Sequence, residues 1–167
     1  MRHKPIKPKL FITNRSRLIE LMEPGSLAVI NANDVLPTSA DGTLPMQPNP
    51  DLFYLSGIEQ EESVLLLFPD AIDPKNREIL FLRKPSEHLK IWEGHKHTKA
   101  LATKISGINN VKWLSDFPGM FRLLMCEADS AYLNSNEHGR AVVEVETRDM
   151  RFAHECRHNF PLHNFRR

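Results

Sequence analysis

The chain has 167 residues, 41% hydrophobic and 26% charged, a balance that suits one globular domain and excludes disordered, collagen-like and coiled-coil classes. The longest aliphatic-aromatic run, Val64 to Phe68, falls far short of the ~20 residues of a membrane helix. A net charge of +1 gives no reason to expect nucleic acid as a partner. The basic N-terminus has no apolar stretch behind it and does not read as a secretory signal. Two cysteines, Cys126 and Cys156, make no disulfide framework, so reduced thiols in the cytoplasm are expected. The charge is unevenly spread. Residues 1–17 carry six Lys/Arg and no Asp/Glu, residues 18–74 carry ten Asp/Glu and no Lys/Arg, and the remainder carries sixteen against eleven. Such asymmetry fits ion pairing within the fold or complementary surfaces between subunits, beside the plain reading of a solvated surface.

In chain order, residues 1–13 read as a flexible or edge-lying arm, because Pro5 and Pro8 oppose a helix. Asn14 is placed to cap a helix over Arg15–Glu23, which Pro24-Gly25 stops. Leu27–Ile30 reads as a buried strand. Residues 33–51 hold four prolines and one glycine and are expected to form a long ordered loop. The apolar members Val35, Leu36, Leu44 and Met46 argue that it packs on the sheet. Leu52–Leu55 reads as a strand. Val64–Phe68 and Glu78–Leu82 read as an antiparallel hairpin. Lys84–Gly94 looks irregular, His97–Ile105 helical and Val111–Leu114 extended. A further helix begins near Ser115 or Asp116, with Phe117, Met120, Phe121 and Leu124 as its core stripe. Ser130–Leu133 is strand-like, and a last helix is expected over Val143–His158. Alternating strands and helices predict an α/β domain with a mixed sheet flanked by helices, a single unit over residues 14–167.

The sharpest chemical motif is His154-Glu155-Cys156-Arg157-His158, an H-E-x-x-H pattern. On a helix, histidines at i and i+4 share a face and can bind zinc, with the glutamate as general base. The downstream third ligand of such sites is missing, Arg157 is ill-suited to a buried metal face, and only His163 follows nearby. A small zinc peptidase using His154, Glu155 and His158 therefore stands as an alternative to solvated helix histidines. His88, His95 and His97 form a looser cluster whose plain reading is exposed loop histidines. Glu59, Glu61 and Glu62 read as a solvated turn. No phosphate-binding glycine loop, no nucleophile elbow and no activated role for Cys126 can be argued. Trp92, in an irregular loop, reads either as a packing plug or as a contact for a partner or ligand.

Several segments together resemble the N-terminal domain of aminopeptidase P, the Xaa-Pro aminopeptidase family related to prolidase and creatinase. The carrying residues are Arg17-Leu18, Met22–Ser26, Ser39–Asp41, Gln47–Gly57, the hairpin of Val64–Phe68 and Glu78–Phe81, and Ile91-Trp92-Glu93-Gly94. The resemblance spans roughly residues 14–135. It implies a mixed-sheet domain of ribonuclease-H-like topology, followed in family members by a metallopeptidase domain of pita-bread fold. That domain holds two metal ions, commonly manganese, on two aspartates, one histidine and two glutamates, and removes a residue that precedes proline. The chain stops before such a domain, so no catalytic residue, metal or cofactor of its own is implied. The implied partners are the catalytic domain, neighbouring subunits of a homo-oligomer, and a peptide with proline second, with neither nucleic acid nor membrane. The resemblance raises Trp92 as a contact at a neighbouring subunit's cleft. The alternatives are the small zinc peptidase and a stand-alone binding module on the same fold.

Overall fold

A computed structural model describes residues 6–40, 42–85, 96–135, 140 and 145–167. Six strands form one sheet in the order β4-β3-β2-β1-β5-β6. They are β1 (Ser26–Asn31), β2 (Val64–Leu67), β3 (Glu78–Leu82), β4 (Asn110–Trp113), β5 (Ser130–Leu133) and β6 (Asn164–Arg166). Only β2 runs against the others: it pairs antiparallel with β1 and β3, while β1–β5, β3–β4 and β5–β6 are parallel. The mixed sheet and the β2–β3 hairpin are those expected from the sequence.

The central strands read as unbroken apolar runs because both of their faces are covered. Alternate residues serve opposite cores. Ala28, Ile30, Leu65, Leu67, Leu80 and Leu82 face one cluster, to which α1 (Pro8–Leu21), α2 (Pro50–Ser56) and α3 (Lys99–Ser106) contribute Leu18, Leu52, Leu55 and Ala102. Leu27, Val29, Val64, Leu66, Ile79 and Phe81 face the other, closed by Phe121, Leu124 and Met125 of α4 (Phe117–Met125) and Ala153 and Cys156 of α5 (Arg148–Asn159). No helix among the described residues is long and apolar enough to cross a membrane.

Four expectations need correction. The helix expected to follow Asn14 starts at Pro8, inside the stretch read as an arm. Proline at the first helical position gives up only an N–H that has no partner there, and its fixed φ favours the helix. Leu52–Leu55 is not a strand but the middle of α2. Asn49 caps this helix, its side-chain oxygen accepting from the backbone N–H of Asp51 at 2.9 Å and Leu52 at 3.0 Å. Pro50 takes its first position, and Gly57 closes it in the left-handed region at φ +71°. Within the loop after β1, Asn33 donates to the Gln47 carbonyl at 3.1 Å and Pro37 bridges Thr43, yet Val35, Leu36 and Leu44 are exposed rather than packed on the sheet. The last helix begins at Arg148 with Thr147 as its cap, not at Val143. After it, β6 adds a sixth strand that the sequence does not suggest, pairing Ala131 with Phe165.

An arginine locks the α1–α2–α3 layer together. Arg15, fully buried, donates from Nη1 to the carbonyls of Leu55 at 2.8 Å and Ser106 at 3.0 Å, the C-terminal ends of α2 and α3. Its Nη2 meets Glu78 of β3 at 3.2 Å. Carbonyls in a helix's last turn lack intrahelical donors and carry the negative end of the dipole, so one cation serves two helices.

Candidate functional site at the carboxyl end of the sheet

Five of the six strands point their carboxyl ends the same way, and in open α/β sheets that edge is where ligands and partners meet the fold. Polar and charged side chains collect there. Beyond the apolar run of β1, Asn31 donates to Asp149 at 3.0 Å, both buried. Asp149 sits in the first turn of α5, where the positive end of the helix dipole favours an acid. Burial nevertheless pushes its carboxyl above the ordinary value, outweighing the Asn31 hydrogen bond and the charge of Arg148, with Asp51 and Asp34 adding to the rise. Two residues on, Arg151 donates to Asp34 and to the Glu146 carbonyl, each at 2.7 Å.

A second group lies across β2 and β3. Glu61 pairs with Lys96 and, at 3.6 Å, with Arg83, which also reaches Glu62 at 3.4 Å. Gln60 accepts from the backbone N–H of His97 at 2.7 Å. Gln60 and Glu61 are buried, so this segment is not the solvated turn read from its three glutamates. His97 is half-buried rather than a free loop histidine. Burial lowers its pKa, while Glu59 and Glu61 oppose the change. The two groups set paired charges along this edge, with two buried carboxyls, Asp149 and Glu61, among them. Among the described residues, no three His, Cys, Asp or Glu side chains converge as a metal site would require.

The family comparison decides what the fold belongs to. The model of the aminopeptidase P N-terminal domain family matches residues 11–132. The chain belongs to that family. It is 30% identical over 137 residues to the Xaa-Pro aminopeptidase of Escherichia coli, covering 82% of this chain and 31% of that protein. Intermediate cleaving peptidase 55 of Schizosaccharomyces pombe is 24% identical over 106 residues, covering 64% of this chain and 22% of its own length. The chain thus spans a third or less of these curated relatives. A solved structure described as an aminopeptidase P of Bacillus anthracis superposes with a TM-score of 0.83 at 25% identity, over 96% of this chain and 38% of that one. A variant of Escherichia coli aminopeptidase P in complex with substrate gives 0.71 at 29% identity, over 81% and 31%.

Within this aminopeptidase P N-terminal domain, the residues singled out from sequence fall in different places. Trp92, His88, His95 and Asp41 lie outside the described residues. Arg83 and Lys96, which stand on either side of the segment carrying Trp92, belong to the paired charges of this edge. His154, Glu155 and His158 are exposed on α5, and the His154 ring meets Glu146 at 3.1 Å. His163 is turned elsewhere, its Nε2 2.8 Å from the Met125 carbonyl and its ring edge-on to Phe160. Cys126 is exposed, while Cys156 is buried with its thiol pushed up to about 12 by desolvation, which leaves almost no thiolate at neutral pH. Asn31, Asp34, Asp149 and Arg151 escaped the sequence reading. Asn31 and Asp34 are signalled only by the stretch Asn31-Ala32-Asn33-Asp34 directly after an apolar strand, and Asp149 and Arg151 by nothing local.

The raised Asp149 carboxyl has a measurable consequence. A carboxyl whose pKa is higher folded than unfolded contributes stability that is full below the unfolded value and is lost as pH rises through the folded one. Asp149→Asn keeps an acceptor for Asn31 and removes the titration. Its stability relative to the parent should therefore improve between about pH 4 and pH 7, read as the difference in urea midpoints at the two pH values. A difference that shrinks over that range would show the carboxylate to be favoured by the fold.

Proposed function

We propose that this chain is the non-catalytic N-terminal part of a cytoplasmic Xaa-Pro aminopeptidase, where it helps to build a homo-oligomer and borders the cleft that takes peptides with proline second. The observation that carries the reading is the match to the aminopeptidase P N-terminal family over residues 11–132, together with alignment to about a third of the Escherichia coli enzyme. Peptide hydrolysis then belongs to a metallopeptidase domain outside the residues aligned here. That domain's two metal ions, proposed to be manganese, would activate water on ligands of its own. The described residues of this chain offer no converging ligand set for them.

The contribution assigned to this chain is recognition. Paired charges at the carboxyl edge of the sheet suit a surface that fixes the register of a neighbouring subunit, since complementary charge steers encounter and excludes wrong alignments. Trp92 is proposed to lay its indole against apolar parts of a bound peptide, a role suited to a large side chain with few rotatable bonds. In the complete gene product, Trp92→Ala should lower kcat/KM on an Xaa-Pro peptide by about tenfold or more, a loss of ~1.4 kcal/mol of transition-state binding. Unchanged turnover in a correctly assembled oligomer would withdraw Trp92 from the cleft.

A further inference from the structure

The turn ahead of β2 touches both ends of the connection between β3 and α3. Gln60 does so through the backbone. Its Oε1 accepts from the His97 N–H at 2.7 Å, and its Nε2 reaches the Arg83 carbonyl at 3.5 Å. The orientation of the amide follows from its partners, since one is a donor and the other an acceptor. Glu61 does so through side chains, pairing with Lys96 and, at 3.6 Å, with Arg83. Glu62 adds a contact to the Arg83 Nε at 3.4 Å. Two consecutive residues thus bridge the same two stems, Arg83 just beyond β3 and Lys96-His97 just ahead of α3.

These groups are largely withdrawn from water. Gln60 and Glu61 are 6% and 8% exposed, and the Lys96 side chain is 9% exposed. An exposed ion pair holds its partners weakly, because water and salt compete with it. A buried pair with amide hydrogen bonds beside it fixes geometry more firmly. The turn is also held in a strained shape. Glu62 stands at φ +55°, in the left-handed region that disfavours an L side chain, and such strain gathers where a local shape serves function. The elements on either side have their own supports. β2 pairs with β1 and β3 along its whole length, and α3 is capped by Thr98, which accepts from the Leu101 N–H at 3.2 Å.

We propose that Gln60 and Glu61 are positioning residues for Trp92: by clasping Arg83 to Lys96-His97 they set the span from which its indole meets a bound peptide. The inference rests on the reading of Trp92 as a contact at a peptide cleft. Bridged stems leave only residues 84–95 between fixed points, against 83–98 without the clasp, and a shorter span loses less entropy when it binds. Gln60 and Glu61 act through the stems and touch no peptide themselves.

The test has two arms. In the 167-residue chain carrying Trp113→Phe, Trp92 is the one remaining tryptophan, and its steady-state fluorescence anisotropy reports how firmly it is held. Glu61→Gln and Gln60→Leu should each lower that anisotropy with the far-ultraviolet circular dichroism unchanged, and either variant suffices if the other fails to fold. In the complete gene product, Glu61→Gln should raise KM for an Xaa-Pro peptide about fivefold with kcat held within about twofold, since the reacting groups are untouched. A Trp92→Ala background should abolish that effect, because residues that act through one another are not additive. A turn that only stabilised the fold would cost the same in both backgrounds. Unchanged anisotropy, or an equal loss of kcat/KM with and without Trp92, would overturn the proposal. If Trp92→Ala itself leaves turnover unchanged while the anisotropy falls, the peptide-cleft reading fails and the clasp on Trp92 stands.

Discussion

Arg15→Met is expected to destabilise the chain by about 3–5 kcal/mol, the range for removing one partner from a buried charged network. The methionine retains much of the apolar stem, so the loss reports on the guanidinium. The ion pair with Glu78 is not the larger part, because that carboxylate is one-third exposed and water can replace its partner. The carbonyls of Leu55 and Ser106 dominate. Each loses a charged donor in a buried setting, and an unsatisfied buried polar group costs about 1–3 kcal/mol. Urea unfolding followed by circular dichroism measures the change. A loss below about 1 kcal/mol would mean that the ends of α2 and α3 find other donors and that Arg15 is not the clamp of this layer.

Gly57→Ala should cost about 2–5 kcal/mol, combining the left-handed backbone penalty with overpacking. The residue stands at φ +71°, where an L side chain is strained whatever the space around it. A Cβ there would also lie 2.5 Å from Cε2 and 2.6 Å from Cζ of Phe11, and 3.1 Å from Cγ2 of Ile105. Phe11 cannot simply retreat, since it is buried and meets Phe53 edge-on at 6.1 Å. Thermal unfolding gives the size of the effect, and altered ring shifts of Phe11 and Phe53 give its location. A change within experimental error of zero would show that α1 and α2 can separate without loss.

The two positions also mark where the sequence could be read and where it could not. Strands such as Val64–Leu67 and Glu78–Leu82 are legible because a continuous apolar run bounded by turn residues has few other uses. Leu52-Phe53-Tyr54-Leu55 is equally apolar, but four residues cannot separate a strand from a helix by periodicity. The deciding signals are Asn49 and Pro50 before it and Gly57 after it, a cap, a first-position proline and a left-handed stop. Pro8 misled for a related reason, since proline forbids a helix interior but favours its first turn. β6 is too short to show any period. Arg15 carries no local sign of burial, because its acceptors lie 40 and 91 residues away. The candidate site divides in the same way. The polar run after β1 was visible, but its pairing of Asn31 with Asp149 spans 118 residues and exists only through the β1–β5 crossover. The family resemblance reached further than these local signals because it rests on the order of many weak segments, from Arg17 to Gly94, rather than on any single one.

The most direct test of the central claim is turnover of an Xaa-Pro peptide by two preparations, the rigorously purified 167-residue chain and the complete product of its gene, each with and without added manganese. Lowering the pKa of water to near neutrality takes a metal held by several protein ligands with one position open. The account predicts metal-dependent release of the first residue by the complete product and none by this chain alone. Steady turnover by the chain alone, abolished by His154→Ala, would contradict it and establish the H-E-x-x-H helix as a peptidase centre.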